Sequence, residues 1–261
     1  MKFSVDIPVK IISGRGCVAS HPEELKLGQH AAIVCGKRSA VKSGALGDVV
    51  RMLGSLGIGR DILDGALPNP PLAAAAAMGQ RAAALGADFV IGIGGGSAMD
   101  SAKAVAAFAA NPTAAPEDLF TPGKLTSHPL PIVLIPTTAG TGSEATVAAV
   151  ITDEKEHHKF TVNDPKLIPD VAVLDPCITM NMPKHLTATT GMDALTHAVE
   201  AYTNILSRPT DRGARYAVRL IFRYLPQVYR DGDDIAAREK MLEASYEAGI
   251  AFTRSCVGYV H

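Results

Sequence analysis

An α/β domain on a mostly parallel sheet, followed by an all-α segment, is the fold class this chain predicts. Apolar runs recur at 31–35, 88–93, 131–135 and 171–174, short, without alternation and bounded by turn residues. Such runs fit strands covered on both faces. Helical patterns lie between them, around 41–56, 72–85 and 97–110, and strand alternating with helix argues for a parallel sheet wrapped by helices. After Asp175-Pro176 the strand signal stops, and from Lys184 onward the pattern reads helical, with Pro209 and Pro226 as the expected breaks. The boundary therefore falls near residue 180, giving an α/β domain over 1–180 and a helical domain over 181–261. The early segment 3–12 is expected to add an edge hairpin strand.

Composition removes several classes of function. Hydrophobic content of 47 % and charged content of 20 % are globular values, and 261 residues suffice for a substantial core. A formal net charge of -1 gives no reason to expect nucleic acid or an anionic membrane as partner. Cys17, Cys35, Cys177 and Cys256 are scattered with no Cys-x-x-Cys, so reduced thiols in a cytoplasmic setting are expected. The first residues lack a signal-peptide core, and the alanine run 73–77 is too short to span a membrane.

Three stretches carry chemistry. Residues 89–103 run from Phe89 through four glycines within 92–96 into an Ala-rich helical pattern. That is strand, tight turn and helix N-terminus, where free amides and the helix dipole favour a phosphate. Residues 132–146 repeat the strand-to-loop-to-helix logic, with hydroxyls at Thr137, Thr138, Thr141 and Ser143 that can bond phosphate or ribose, or cap a helix. In the third, Asp193 and His197 stand four apart on a helical pattern, one turn apart on the same face. Carboxylate oxygen with imidazole nitrogen suits a divalent first-row metal, although most pairs at this spacing are ordinary surface or capping residues.

Taken in order, GGGSAMDSAK, PTTAGTGSEAT and GMDALTHAVEAY resemble the iron-containing, group III alcohol dehydrogenases, and the resemblance covers nearly the whole chain. It implies a Rossmann-like dinucleotide-binding domain plus an all-α domain in a dehydroquinate synthase-like architecture, with a metal between them. The activity implied is NAD(P)-linked alcohol dehydrogenation or aldehyde reduction by metal-assisted hydride transfer. Fe²⁺ is the implied metal, with Zn²⁺ as the alternative, held by one Asp and three His. Asp193 and His197 match the first two ligand positions and His261 the third. Family members continue beyond that point to a fourth ligand, so the chain reads as cut at its last helix. The implied partners are a small alcohol or aldehyde and further copies of the chain, as a dimer or larger.

The same resemblance assigns cofactor contacts. Asn69 matches an adenosine-side asparagine, and Gly95, Gly96 and Ser97 match the pyrophosphate loop. Thr137, Thr138 and Thr141 match the second cofactor loop, and Lys159 a cofactor-contacting lysine. NAD-preferring relatives carry an Asp just after the strand matching 31–35, where a carboxylate bonds the ribose 2′-hydroxyl. Here that place reads Gly36-Lys37-Arg38-Ser39. NADP(H) is therefore favoured over NAD(H), with Gly36 making room and Ser39 or a basic neighbour holding the 2′-phosphate; the alternative is a plain basic turn. Asp100 and Lys103 fit an i,i+3 pair, either supporting the phosphate-binding helix or contacting the cofactor.

Other readings remain open. Two histidines and one carboxylate also serve non-haem iron oxygenases, but those enzymes need no nicotinamide and hence no such Gly-rich loops. A polyol-phosphate or cyclising-synthase branch of the fold is disfavoured by the unbroken GMDALTHA stretch. From a different class, a catalytically impaired remnant would bind NADP(H) through residues 36–141 yet hold metal poorly for want of the fourth ligand.

Overall fold

A computed structural model of the protein describes residues 9–204, 211–255 and 258. Six strands form one parallel sheet: β1 (Lys10–Ser13), β2 (His30–Cys35), β3 (Gly59–Leu63), β4 (Phe89–Gly94), β5 (Ile132–Pro136) and β8 (Val171–Leu174), in the order β1-β8-β5-β4-β2-β3. Between the last two in sequence, β6 (Ala148–Asp153) and β7 (His158–Asn163) form a separate antiparallel hairpin.

The central strands read as unbroken apolar runs because both faces are covered. Ile33, Ile91, Ile93, Val133 and Ile135 turn toward one layer, with α1 (Cys17–Ser20) and α3 (Ala45–Ser55). The alternate residues Val34, Val90, Ile132 and Leu134 meet α5 (Gly96–Ala110) through Met99, Ala102 and Val105. α5 approaches the sheet closely: a Cβ on Gly92 would stand 2.6 Å from the Ala102 Cβ. α4 (Leu72–Ala84) lies against α5 in turn.

Beyond β8 come the short α6 (Pro176–Thr179), then α7 (Lys184–Thr203), α8 (Asp211–Arg230) and α9 (Ile235–Ser255), the last three packed on one another. No helix among the described residues is long and apolar enough to cross a membrane.

Several expectations need correcting. Of the segment 3–12, Lys10–Ser13 lies at the end of the sheet among the described residues and pairs parallel with β8; residues 3–8, where a hairpin mate would fall, lie outside the described residues. Helix 41–56 is two pieces, α2 (Ser39–Lys42) and α3, parted at Gly44 with φ +83. Thr137–Thr146 does not lead into a helix; one 3₁₀ turn, Ser143–Ala145, passes directly to β6. Pro226 does not break the chain but lies inside α8 on its exposed side, where water can satisfy the carbonyl that the ring frees. Pro209 lies outside the described residues.

Candidate functional site

The connection from β2 to β3 runs one way along the sheet, and the chain then crosses back to place β4 on the other side of β2. Ligands of open α/β sheets bind at such a reversal, outside the carboxyl ends of the strands. The register aligns those ends, with Cys35 opposite Ile93 and Gly94 opposite Pro136. Three loops consequently leave the sheet side by side: Gly36–Ser39, Gly95–Ser97 and Thr137–Thr141.

The loops touch where the glycines lie. A Cβ on Gly96 would stand 2.7 Å from the Thr141 Cγ2, and one on Gly95 would stand 3.4 Å from the Thr138 Oγ1. The Thr137 N–H donates to the Gly94 carbonyl at 2.8 Å. Gly95 caps the N-terminus of α5, with no side chain over the first helical amides. Asn69 holds φ +50 and donates its N–H to the Ser97 Oγ at 3.3 Å; asparagine is among the few residues that accept that backbone region. Next to it, the Thr152 N–H donates to the Pro70 carbonyl at 2.8 Å, and Lys159 pairs with Thr152 across the hairpin.

A cleft of about 370 Å³ opens here, walled by Ser39, Gly95, Thr137 and Thr138 on one side and Ile178, Met182 and Leu186 on the other. Arg38 and Lys42 also line it. Asn69 and Lys159 are not on its wall. The apolar wall comes from α6, the turn after it and the first turn of α7, which nothing in the glycine or threonine motifs signals.

The second loop also reaches the helical part. Gly140 abuts α7, where a Cβ would stand 2.7 Å from the Thr190 carbonyl oxygen, and Thr190 lies one turn before Asp193. His197 Nε2 and Asp193 Oδ1 are 3.9 Å apart, with the imidazole side chain 8 % exposed and the carboxylate 36 %. Phe252 of α9 stacks on the imidazole, ring centroids 4.3 Å apart, and so fixes the ring plane. The two side chains form an oxygen-and-nitrogen donor pair that fits a divalent first-row ion. Among the described residues no third His, Cys, Asp or Glu completes a cluster; His261 lies outside them.

Asp100 and Lys103, expected as a pair on α5, belong to a buried polar knot beside the second loop; sequence reasoning missed its burial and the place of Glu144 in it. Ser143 does not face the cleft: its Oγ donates to Asp100 at 2.7 Å. Lys103, fully buried, donates to three backbone carbonyls of the 143–148 segment. Burial lowers its ammonium from the ordinary value, yet those acceptors and the neighbouring Asp100 favour the charged form. Glu144 is 1 % exposed and lacks a hydrogen-bond partner at Oε1. Its signal was an acid inside PTTAGTGSEAT, between small residues and ahead of a strand.

Burial pushes the Glu144 carboxyl up to about 7, against a backbone hydrogen bond and the charge of Lys103. Between the ordinary carboxyl value and about 7, the folded chain keeps a proton that the unfolded chain has released. Stability therefore falls as pH rises through that window, and the loss is complete above it. Glu144→Gln removes this titration. Urea unfolding should show the variant more stable above neutrality by about 1–2 kcal/mol, with a flatter decline through the acid range. Parallel pH profiles for the two proteins would contradict the assignment.

Comparisons with known proteins bear on the same segments. A family model for iron-containing alcohol dehydrogenase matches residues 8–176, and one for the C-terminal part of the Fe-containing alcohol dehydrogenase family matches residues 187–261. The chain is 38 % identical over 257 residues to the NAD-dependent methanol dehydrogenase of Bacillus methanolicus, covering 98 % of this chain and 67 % of that protein. It is 34 % identical over 260 residues to the choline dehydrogenase of Bacillus subtilis, covering 98 % and 65 %. An iron-containing alcohol dehydrogenase structure from Thermotoga maritima superposes with a TM-score of 0.92 at 36 % identity, covering 100 % of this chain and 71 % of that one. The chain thus spans about two thirds of the length of these relatives.

Proposed function

Because the chain belongs to the iron-containing alcohol dehydrogenase family, we propose that it serves as a metal-dependent, nicotinamide-linked alcohol dehydrogenase acting as an aldehyde reductase in reverse. The observation that carries this reading is the contact of Gly140 with Thr190, which sets the second loop one helical turn from Asp193 and two from His197. A dinucleotide lying along the three loops would then have its reactive end beside the donor pair.

In this reading the division is an NAD(P)-binding domain over 1–180 and a metal-binding helical domain over 181–261. Asp193 and His197 hold the ion, with His261 as third ligand by its match to the family pattern. Gly95, Gly96 and the amides opening α5 take the pyrophosphate, helped by the Ser97 hydroxyl. The cleft beside Thr137 and Thr138 takes the adenosine half, its apolar wall covering the base. Asn69 contacts the adenosine side by its match to the family pattern, and Thr141 and Lys159 line the way toward the nicotinamide half. The bound nicotinamide supplies or accepts the hydride, and the ion supplies Lewis acidity toward the substrate oxygen. The protein's part is alignment and exclusion of water: Phe252 fixes the imidazole plane, and the Gly140 contact fixes the distance between loop and donors. A small alcohol or aldehyde is the substrate class, and assembly into dimers or larger is part of the proposal. Aldehyde-dependent NADPH oxidation by the iron-loaded protein tests it.

NADPH is the preferred cofactor in this reading. Gly36 leaves space after β2, and Lys37, Arg38 and Ser39 offer donors where a carboxylate would repel a 2′-phosphate. A Cβ on Gly36 meets only the Ala66 carbonyl, at an ordinary 3.5 Å, so Gly36→Asp should fold. The wild-type ratio of kcat/KM for NADPH over NADH should exceed one, and Gly36→Asp should lower it by about tenfold or more through loss of charge complementarity. A wild-type ratio below one, or a ratio unmoved by the new carboxylate, counts against the assignment.

A further inference from the structure

Two charged side chains of α5 are buried where the sheet, the second loop and the hairpin meet. Lys103, two turns beyond the glycine loop, directs its ammonium at the Ser143 carbonyl (2.7 Å), the Thr146 carbonyl (2.8 Å) and the Ala148 carbonyl (2.7 Å), with the Thr146 Oγ1 at 3.0 Å. Asp100, one turn earlier, accepts from the Ser143 Oγ at 2.7 Å and from the Val150 N–H at 3.1 Å. Both residues are buried, Lys103 completely.

Burying a charge is costly unless it is paired and hydrogen-bonded, and an apolar side chain of similar volume would fill this space without that cost. What the apolar side chain could not do is hold three carbonyls of the 3₁₀ turn and the start of β6 at fixed positions. The segment so held, 143–150, continues the Thr137–Thr141 loop, and the holding helix carries Gly95–Ser97 at its own N-terminus. α5 thus grips both loops, one through its first turn and the other through Asp100 and Lys103.

We propose that Lys103 and Asp100 are positioning residues that lock the second cofactor loop to the helix bearing the first, so that a dinucleotide spanning both meets a preset site. The inference rests on the nicotinamide reading above. With the lock removed, the 143–150 segment must be ordered at the moment of binding, and affinity falls by the cost of that ordering. A ligand confined to the cleft beside Ser39, Gly95, Thr137 and Thr138 touches the second loop only at its start, where the Thr137 N–H is anchored on the Gly94 carbonyl, and escapes most of that cost.

Isothermal titration with NADPH and with adenosine 2′,5′-bisphosphate separates these cases. In Lys103→Met the Kd for NADPH should rise about tenfold or more, while that for the bisphosphate stays within about twofold. Ser143→Ala, which cuts the Asp100 bond and leaves α5 intact, should give the same split at about threefold, and it decides the matter if the lysine variant fails to fold. Equal losses for both ligands, or unchanged NADPH affinity in a folded variant, overturn the proposal. Wild-type protein that binds neither ligand overturns the nicotinamide reading itself, and this inference falls with it.

Discussion

Replacing His197 with alanine is expected to abolish metal retention and aldehyde reduction while leaving NADPH binding in place. The imidazole is nearly enclosed, stacked on Phe252 and 3.9 Å from the Asp193 carboxylate. Its removal takes one nitrogen donor from the site and leaves the carboxylate half-exposed to water. Residues that merely orient a metal ligand cost roughly 10–100-fold in metal affinity when changed, so loss of a ligand itself should cost on the order of a thousandfold. The cofactor cleft should be spared, because neither His197 nor Asp193 lines it. Iron content after anaerobic loading and NADPH titration of the same sample check both halves. A variant that keeps its iron would show that the pair is a structural one.

Gly249→Val should be strongly destabilising. Gly249 lies on α9 against the second loop, and a Cβ there would stand 2.8 Å from the Gly142 carbonyl oxygen and 3.1 Å from the Ala145 Cβ. Neither obstacle is the free end of a side chain, so backbone must move. Overpacking of this kind costs about 1–3 kcal/mol and sometimes more, whereas removing a helix-interior glycine recovers only about half a kcal/mol. The clash wins, and a loss of about 3 kcal/mol is expected in urea unfolding. Gly47→Ala supplies the contrast: its Cβ would meet only the mobile Arg51 Nη1 at 3.4 Å, so propensity should prevail and stability rise by about half a kcal/mol. A Gly249→Val protein as stable as wild type would mean that α9 and the loop are not in contact.

The buried strands were legible because β2, β4, β5 and β8 have little but apolar residues to show. β3 was not, since Arg60 and Asp61 sit on an edge strand where water covers alternate positions and His30 pairs with Asp61 at 2.8 Å. The β6–β7 hairpin was hidden similarly: His158, Lys159, Thr161 and Asn163 dilute the apolar signal of Phe160 and Val162. Glycine motifs announced the phosphate loop because bare backbone amides need them. The Ile178, Met182 and Leu186 wall had no such announcement, because apolar residues look alike whether they line a cleft or fill a core. Spacing suggested Asp100 and Lys103 as a supporting pair, but the burial of Lys103 and Glu144 comes only from the fold that encloses them.

The central claim is that Asp193 and His197 hold an ion beside a nicotinamide bound along the three loops. Anaerobic, aldehyde-dependent oxidation of NADPH, measured on protein loaded with Fe²⁺ and again after treatment with a chelator, tests it most directly. Turnover that requires the iron and stops when the iron is removed is the predicted result. NADPH binding without any iron-dependent turnover would contradict it.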